Sequence, residues 1–214
     1  MGVHVPRMFP GATIACIATG PSLTQSDCDQ VRAAGLPTIA INDAHRLAPW
    51  ADVLYSSDRM WWPHYKGVPE FKGVRFGIGS APGKNNKFHD YPEINVLKNT
   101  GYCGLDLETT GLRNGRNSGY AGINLAVHLG AKRILLLGYN LGYLKNRAHF
   151  FGDHPVGLTQ NQSNYTAFRA LFDTMVVPLK AAKVEVINCT PETSLNTFPV
   201  CDVSDAIRLL AAVA

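Results

Sequence analysis

The chain has 214 residues, of which 46% are hydrophobic and 17% are charged. This composition is typical of one folded globular domain and argues against a disordered chain. The net charge of +4 allows an anionic ligand or a nucleic acid but favours neither.

Six short apolar runs predict buried β-strands at residues 12–18, 37–43, 51–58, 74–79, 131–138 and 184–190. Helices are predicted after the first strand and over residues 118–130, 164–183 and 203–213. The first helix is expected to begin at Thr24 or Ser26 and to end at Gly35, and Pro178 is expected to interrupt the third. Apolar strands that alternate with helices predict an α/β fold, a parallel sheet covered on both faces.

Residues 80–116 show no sustained hydrophobic period and are rich in Gly, Asn and Lys. Segments of this kind are typical of long functional loops. We therefore predict one domain over residues 1–214 with an irregular insertion at 80–116 that serves as a lid or binds an acceptor.

The five cysteines are scattered, their number is odd, and no C-x-x-C pair occurs. Reduced thiols in a cytoplasmic protein are the simplest interpretation, and these spacings do not suggest a zinc site. We find no signal peptide and no apolar run long enough to span a bilayer, so no membrane insertion is expected. The oligomeric state is left open.

Polar and small residues cluster where the predicted strands end. Because ligands of parallel sheets bind at the carboxyl ends of the strands, these residues are expected to share one ligand-binding edge. They are Gly20, Pro21 and Ser22 after the first strand, Asn42 and Asp43 after the second, Ser56, Ser57 and Asp58 after the third, and Gly138, Tyr139 and Asn140 after the fifth.

Two of these turns have the form of a phosphate site. The stretch ATGPSL joins a strand to a helix, and its backbone N–H groups suit a phosphate, although a plain turn explains it equally well. The stretch Asn117–Ser118–Gly119 begins the helix over 118–130, and Ser118 is either its N-cap or a contact for phosphate or ribose oxygens.

The segment AHFFGDHP, residues 148–155, carries His149, Asp153 and His154 just beyond the most apolar strand. Three interpretations compete, namely a general base, a metal site and an ordinary loop. The two histidines are five residues apart, unlike the i, i+4 pair of a helical zinc site. A neutral imidazole near pH 7 is a natural general base. Aromatic residues in DRMWWPHYKG could stack on a base or pack in the core, and packing is the simpler reading.

The order of these motifs resembles that of the sialyltransferase-like superfamily. This group includes bacterial lipooligosaccharide sialyltransferases, motility-associated glycosyltransferases and archaeal-type 6-hydroxymethylpterin diphosphokinases. The resemblance rests on GPSL after the first strand, an Asn ending the second, an NSG helix start, an apolar strand ending in Gly, and an H-x-x-G-x-H loop. Two positions depart from it: Ala18–Thr19–Gly20 replaces a GNG sequence, and Asn140 replaces an acidic residue.

The resemblance implies a Rossmann-like glycosyltransferase fold with a nucleotide at the strand ends. It places His154 as the general base, with one additional residue in the loop, and Tyr143 near the leaving phosphate. His149 or Asp153 would orient the base or contact the acceptor. The nucleotide-sugar donor would be contacted by the strand-end residues Gly20, Pro21, Ser22, Asn42, Ser56, Asp58, Gly138, Tyr139 and Asn140, together with Asn117, Ser118 and Gly119.

Three functions remain open at this stage. The first is a glycosyltransferase with no tightly bound cofactor and no metal, whose acceptor is a glycan, a small alcohol or a hydroxymethylated base of phage DNA. The second is a diphosphokinase acting on a pterin-like alcohol, with Asp43 and Asp58 holding Mg²⁺. The third is a nucleotide-binding module without catalysis.

Overall fold

The computed structural model describes residues 3–79, 90–155, 158 and 164–211. Within them, eight strands form one parallel sheet in the spatial order β6-β5-β4-β3-β2-β1-β7-β8. The strands are β1 (Thr13–Ile17), β2 (Thr38–Ile41), β3 (Val53–Ser56), β4 (Val74–Ile78), β5 (Ile94–Gly101), β6 (Gly111–Arg113), β7 (Arg133–Leu137) and β8 (Glu185–Asn188). The predicted parallel α/β sheet is confirmed.

Helices cover both faces of this sheet. They are α1 (Gln25–Ala33), α2 (Trp61–His64), α3 (Ser118–Leu129), α4 (Tyr165–Asp173), α5 (Val176–Ala181) and α6 (Val203–Ala211), with a 3-10 turn at Asn42–Arg46. One hydrophobic cluster joins the sheet to α3, α4 and α5, and a second joins its other face to α1, α2 and α6. The molecule is therefore a three-layer, Rossmann-like α/β structure.

Helix ends follow the local sequence. Thr24 caps α1 with a reciprocal bond to Asp27, which confirms Thr24 rather than Ser26 as the start. The predicted third helix is divided at Thr174 into α4 and α5. Pro178 lies in the first turn of α5, where a missing N–H breaks no helical hydrogen bond. The predicted interruption is thus confirmed.

The prediction of an irregular insertion over residues 80–116 is wrong for its second half. Strands β5 and β6 lie in this segment and extend the sheet beyond β4. Strand β5 has the sequence INVLKNTG and is only partly buried, so it lacks the continuous apolar run of the inner strands. Residues 80–89 lie outside the described part of the chain, and the lid role stays a prediction.

The strand order reverses at β1. From β1 the chain moves one way through β2 and β3, and it later crosses to the other side of β1 to form β7. The segments that leave β1 and β7 therefore diverge to opposite faces and open a crevice between them. Such a switch point is the usual ligand site of open parallel sheets.

The outer edge of the sheet at β6 is met by side chains from α3. Asn124, which is fully buried, accepts a hydrogen bond from the N–H of Arg113 at 3.1 Å, and His128 Nε2 lies 2.9 Å from the carbonyl oxygen of Gly111. Asn124 also bonds both the N–H and the carbonyl of Asp106. These bonds fix α3 and the loop before β6 to one another.

No helix among the described residues is long and apolar enough to cross a membrane. The five cysteines are unpaired, and Cys16, Cys28 and Cys189 are buried. Burial raises the pKa of the Cys28 and Cys189 thiols to about 12. These groups are therefore core side chains and not reactive thiolates.

Candidate active site

A cleft of about 610 Å³ lies over the carboxyl ends of the strands at the switch point. Its volume is within the range of roughly 300–1,000 Å³ that small-molecule sites occupy. The lining residues come from the segments that follow β1, β2, β3, β6 and β7. They are Ala18, Thr19, Gly20, Ile41, Asn42, Ser57, Asp58, Arg59, Met60, Trp61, Asn114, Arg116, Asn117, Ser118, Gly119, Gly138, Tyr139, Leu141, Gly142, Ala148, His149, His154, Leu158, Tyr165 and Phe168.

Two glycines form the floor of the cleft where β1 and β7 end. The N–H of Gly20 donates to the carbonyl oxygen of Gly138 at 2.8 Å. A Cβ on Gly20 would overlap this carbonyl and the side-chain oxygen of Asn140, and Gly138 has a φ of +71°. Only glycine suits this crossing of two turns. Close backbone packing therefore accounts for both glycines.

Thr19 ties the loop of residues 147–154, hereafter the histidine loop, to the turn after β1. Its carbonyl oxygen accepts a hydrogen bond from the N–H of Phe150 at 3.1 Å, and its hydroxyl oxygen lies 3.0 Å from Nδ1 of His149. The imidazole of His149 stacks parallel on the ring of Phe151, with centroids 5.1 Å apart. His149 is thus fixed on one edge and on one face.

The environment of His149 keeps its ring neutral. Burial, followed by the neighbouring His154, lowers the pKa of His149 to about 4, and the bond to Thr19 and the carboxylates of Asp43 and Asp153 oppose this shift. At neutral pH the ring therefore offers one nitrogen lone pair and one N–H. Such a ring can accept a proton or donate a hydrogen bond to a ligand.

His154 lies beside His149, with ring centroids 4.3 Å apart and the rings tilted by 58°. Both histidines line the cleft. Nδ1 of His154 is buried and has no hydrogen-bond partner. Asp153, which was expected to orient a catalytic histidine, is exposed and makes no hydrogen bond to His154.

The cleft wall over β3 and the start of α3 is made of amide and hydroxyl groups. Asn117 is the N-cap of α3 and accepts from the N–H of Tyr120 at 3.2 Å, so of the two alternatives for Ser118 the N-cap is wrong. Ser118 instead pairs its hydroxyl with that of Ser57 at 2.6 Å. The backbone N–H groups of Ser118 and Gly119 make no hydrogen bond to another described residue. They leave donors at the helix start that could meet an anion.

Asn42 begins the 3-10 turn after β2 in a left-handed conformation, with a φ of +52°. Its side-chain oxygen is buried without a hydrogen-bond partner, and the residue lines the cleft. An unpartnered buried acceptor costs free energy, so such a group calls for an explanation. A ligand N–H or O–H at this position would supply the missing partner.

The aromatic residues of α2 are mainly core residues, as packing predicts. Trp61 and Trp62 are 2% and 0% exposed, although an edge of Trp61 reaches the cleft. The buried carboxylate of Asp43 accepts from the indole N–H of Trp61 at 2.9 Å and from the hydroxyl of Tyr65 at 2.5 Å. Asp43 therefore holds the second and third strand ends together.

The pair of carboxylates expected for Mg²⁺ does not meet at the cleft. Asp58 lines it, whereas Asp43 does not, and both oxygens of Asp43 already accept hydrogen bonds. No group of three or more His, Cys, Asp or Glu side chains in the described ranges is placed to hold a metal ion.

Most of the strand-end residues predicted from the sequence meet at this cleft. Those that line it are Gly20, Asn42, Asp58, Asn117, Ser118, Gly119, Gly138, Tyr139, His149 and His154. Those that do not are Pro21, Ser22, Ser56, Asn140, Tyr143 and Asp153.

The residues outside the lining have visible structural roles. The hydroxyl of Ser22 donates to Asn140, whose amide group in turn donates to the carbonyl oxygens of Pro191 and Glu192. Ser56 is fully buried and accepts from the N–H of Asp58. Tyr143 is 59% exposed, and its ring contacts that of Tyr165, which lines the cleft.

Several lining residues escaped the sequence reasoning, above all Thr19, Arg59, Asn114 and Arg116. Thr19 directly precedes a predicted residue, and Asn114 and Arg116 belong to the turn before the predicted helix start. The signal that could have identified them is their position, since each is a polar residue in a turn at a strand end. The sequence does not tell which of these side chains turn inward.

Comparison with protein-family models, with curated proteins and with solved structures finds no match to this chain.

Proposed function

We propose that this chain is a transferase of the sialyltransferase-like type, which moves a sugar from a nucleotide-sugar donor to an acceptor hydroxyl. The observation that carries the proposal is the pair of imidazoles, His149 and His154, at the wall of a switch-point cleft. A site that only binds a nucleotide has no need of two adjacent histidines. A cytoplasmic location, expected from the scattered cysteines, is part of the proposal.

The donor would lie across the floor of the cleft. Its phosphate would be met by the free N–H groups of Ser118 and Gly119 and by the positive end of α3, which favours negative charge. Arg116 lines the same region, where its guanidinium lies 5.0 Å from the ring of Tyr102. The nucleoside would place a hydrogen-bond donor against the side-chain oxygen of Asn42.

Transfer would then need a base and a stabilised leaving group. A cleft imidazole takes the proton of the acceptor hydroxyl, and the acceptor oxygen forms a bond to the anomeric carbon of the sugar. The bond from that carbon to the phosphate oxygen breaks, and its electron pair leaves with the nucleotide. Donors already fixed at the start of α3 would stabilise the developing phosphate charge without reorganisation. The resemblance assigns the base to His154.

The proposal is tested by a thermal-shift screen of nucleotides and nucleotide sugars, with and without Mg²⁺. A ligand that binds only the folded chain raises the melting temperature by mass action. We expect a nucleotide sugar, and its nucleotide product, to stabilise the chain, and Asn42→Gly to reduce the shift. Donor hydrolysis and transfer to a panel of glycans, small alcohols and hydroxymethylated DNA would then be followed by mass spectrometry.

Two results would contradict the proposal. Stabilisation only by a nucleoside triphosphate with Mg²⁺ would favour the diphosphokinase. Stabilisation by nucleotides with no turnover of any nucleotide sugar would favour a binding module.

A further inference from the structure

The two cleft histidines differ in how their ring nitrogens are held. Nδ1 of His149 lies 3.0 Å from the hydroxyl of Thr19, while its Nε2 is neither among the buried unpartnered atoms nor bonded to a described residue. In His154, by contrast, it is Nδ1 that is buried and has no hydrogen-bond partner. A ring that gains a proton needs an acceptor for each of its two N–H groups.

The hydroxyl of Thr19 can accept a hydrogen from Nδ1 of His149 or donate its own, so the 3.0 Å contact fits both neutral tautomers. In the imidazolium both nitrogens carry a hydrogen, and the hydroxyl oxygen of Thr19 is then the acceptor for Nδ1–H. A ring that takes a proton at Nε2 must start from the tautomer with its hydrogen on Nδ1, and the Thr19 hydroxyl can hold that tautomer.

We propose that His149, rather than His154, is the general base of the transfer, and that Thr19 is the positioning residue that fixes the Nδ1–H tautomer of His149. The inference rests on the proposed function. The proton of the acceptor hydroxyl moves to Nε2, and the imidazolium keeps its Nδ1–H on Thr19. The acceptor oxygen bonds to the anomeric carbon, and the nucleotide phosphate leaves with the electron pair of the broken carbon–oxygen bond.

Burial, followed by His154, acts against the charge that His149 gains, and the carboxylates of Asp43 and Asp153 offset part of this cost. Arg46 lies on the far side of this cluster, over the ring of Phe151 at 5.6 Å and 3.9 Å from Asp43. In His154 the same protonation would bury an N–H without an acceptor, which is costly.

Four variants test the assignment, namely His149→Gln, His154→Gln, Thr19→Val and Thr19→Ser. Thr19→Val removes the hydroxyl and keeps the shape of the side chain and the carbonyl that binds Phe150, and Thr19→Ser restores the hydroxyl. Thermal melting confirms that each variant folds. Ring ¹⁵N shifts of His149 give the tautomer directly, whether or not the protein is active.

We expect a protonated Nδ1 and an unprotonated Nε2 for His149 in the wild type and in Thr19→Ser, and a mixture of tautomers in Thr19→Val. The kcat should fall roughly tenfold in Thr19→Val with donor KM within about twofold. It should fall about 10²–10⁴-fold in His149→Gln, the usual contribution of one general base, and less than about tenfold in His154→Gln. The acidic limb of the wild-type kcat/KM profile, which reports the free enzyme, should lie near pH 4, the pKa of His149.

An Nε2–H tautomer in the wild type, or an unchanged tautomer in Thr19→Val, would overturn the role of Thr19. A larger loss of kcat in His154→Gln than in His149→Gln would return the base to His154. A wild-type protein that transfers no sugar would overturn the proposed function and the base with it, and the tautomer spectrum would still decide the role of Thr19.

Discussion

The two sides of the cleft differ in how many of their polar groups already have hydrogen-bond partners. Over β1 and β7, the histidine side consists of Thr19, Gly20, Gly138 and the histidine loop, and its polar groups, apart from Nδ1 of His154, are largely bonded to one another. Over β2, β3 and the start of α3, the serine–asparagine side leaves an acceptor on Asn42 and two backbone donors without partners among the described residues.

This difference separates two tasks. Groups that are fixed before a ligand arrives cost no reorganisation during a reaction, which suits the histidine side to chemistry. Groups that lack a partner gain one when a ligand binds, which suits the serine–asparagine side to recognition. Substitutions on the histidine side should therefore change mainly stability and rate, and substitutions on the serine–asparagine side should change mainly the affinity for the ligand.

The largest effect is expected at the glycine floor of the histidine side. Gly20→Ala would force a Cβ into the carbonyl of Gly138 and the side chain of Asn140, and should lower the free energy of unfolding by about 3 kcal/mol or more. The matched control is Gly119→Ala on the other side. Its Cβ would come within 2.9 Å of the side chains of Tyr139 and Asn117 and of no backbone carbonyl, and alanine is the better helix former, so a smaller loss is expected. Equal losses of unfolding free energy for Gly20→Ala and Gly119→Ala in urea denaturation would contradict the difference between the two sides.

The next effect is a dependence of stability on pH. The unfolded chain binds a proton at His149 near pH 6.5, whereas the folded chain binds it near pH 4. Because the folded pKa is lowered, the stability is fully present above about pH 6.5 and is lost as the pH falls towards 4. The loss is on the order of 3 kcal/mol.

His149→Gln removes this proton and should flatten the curve between these two values. His128, whose pKa burial also lowers, remains in both proteins and cancels from the difference. Identical pH profiles for the wild type and His149→Gln would show that the ring is not held neutral in the folded state.

On the serine–asparagine side, Asn42→Gly should weaken binding of the nucleotide by roughly tenfold, since one hydrogen bond contributes about 0.5–1.5 kcal/mol. Glycine tolerates the φ of +52° and leaves no buried acceptor unpaired, so stability should barely change. Ser22→Ala is the control, because Ser22 bonds Asn140 outside the cleft and should affect melting more than affinity. Calorimetry would measure both, and the reverse pattern would contradict the assignment of the two sides.

The smallest effect is expected at the hydroxyl pair of Ser57 and Ser118. Ser118→Ala removes the 2.6 Å hydrogen bond to the hydroxyl of Ser57 and the 3.2 Å hydrogen bond from the Ser57 N–H, but it keeps the backbone donors at the start of α3. The free energy of unfolding should fall by about 1 kcal/mol, and binding should change less than in Asn42→Gly. A loss of binding larger than that of Asn42→Gly would mean that the hydroxyl itself contacts the ligand.

The sequence predicts the inner sheet well because strands buried on both faces leave a continuous apolar run. It misses β5 because this strand is only partly buried and carries Lys98, Asn99 and Thr100, and it misses β6 because a strand of three residues is too short to show a pattern. Residues at strand ends are recognisable as a group, since parallel topology brings them to one edge. Whether each side chain points inward depends on contacts between distant segments.

Ser22 and Asn140 illustrate this limit. They are 118 residues apart and satisfy one another outside the cleft, whereas Thr19, three residues before Ser22, faces it. Similarly, Asn117 displaces Ser118 as the helix cap because its side chain reaches the N–H of Tyr120. Neighbouring polar residues of similar propensity cannot be ranked without the tertiary structure.

The bonds from α3 to β6 bear on how copies of the chain meet. An outermost strand normally offers a row of unused backbone groups, which invites pairing with a strand of another molecule and growth into aggregates. Here Asn124 and His128 already occupy the N–H of Arg113 and the carbonyl of Gly111, and β6 is only three residues long. Asn124→Leu would leave the N–H of Arg113 without this partner. We expect self-association, measured by light scattering, to appear before any loss of ligand binding at the distant cleft.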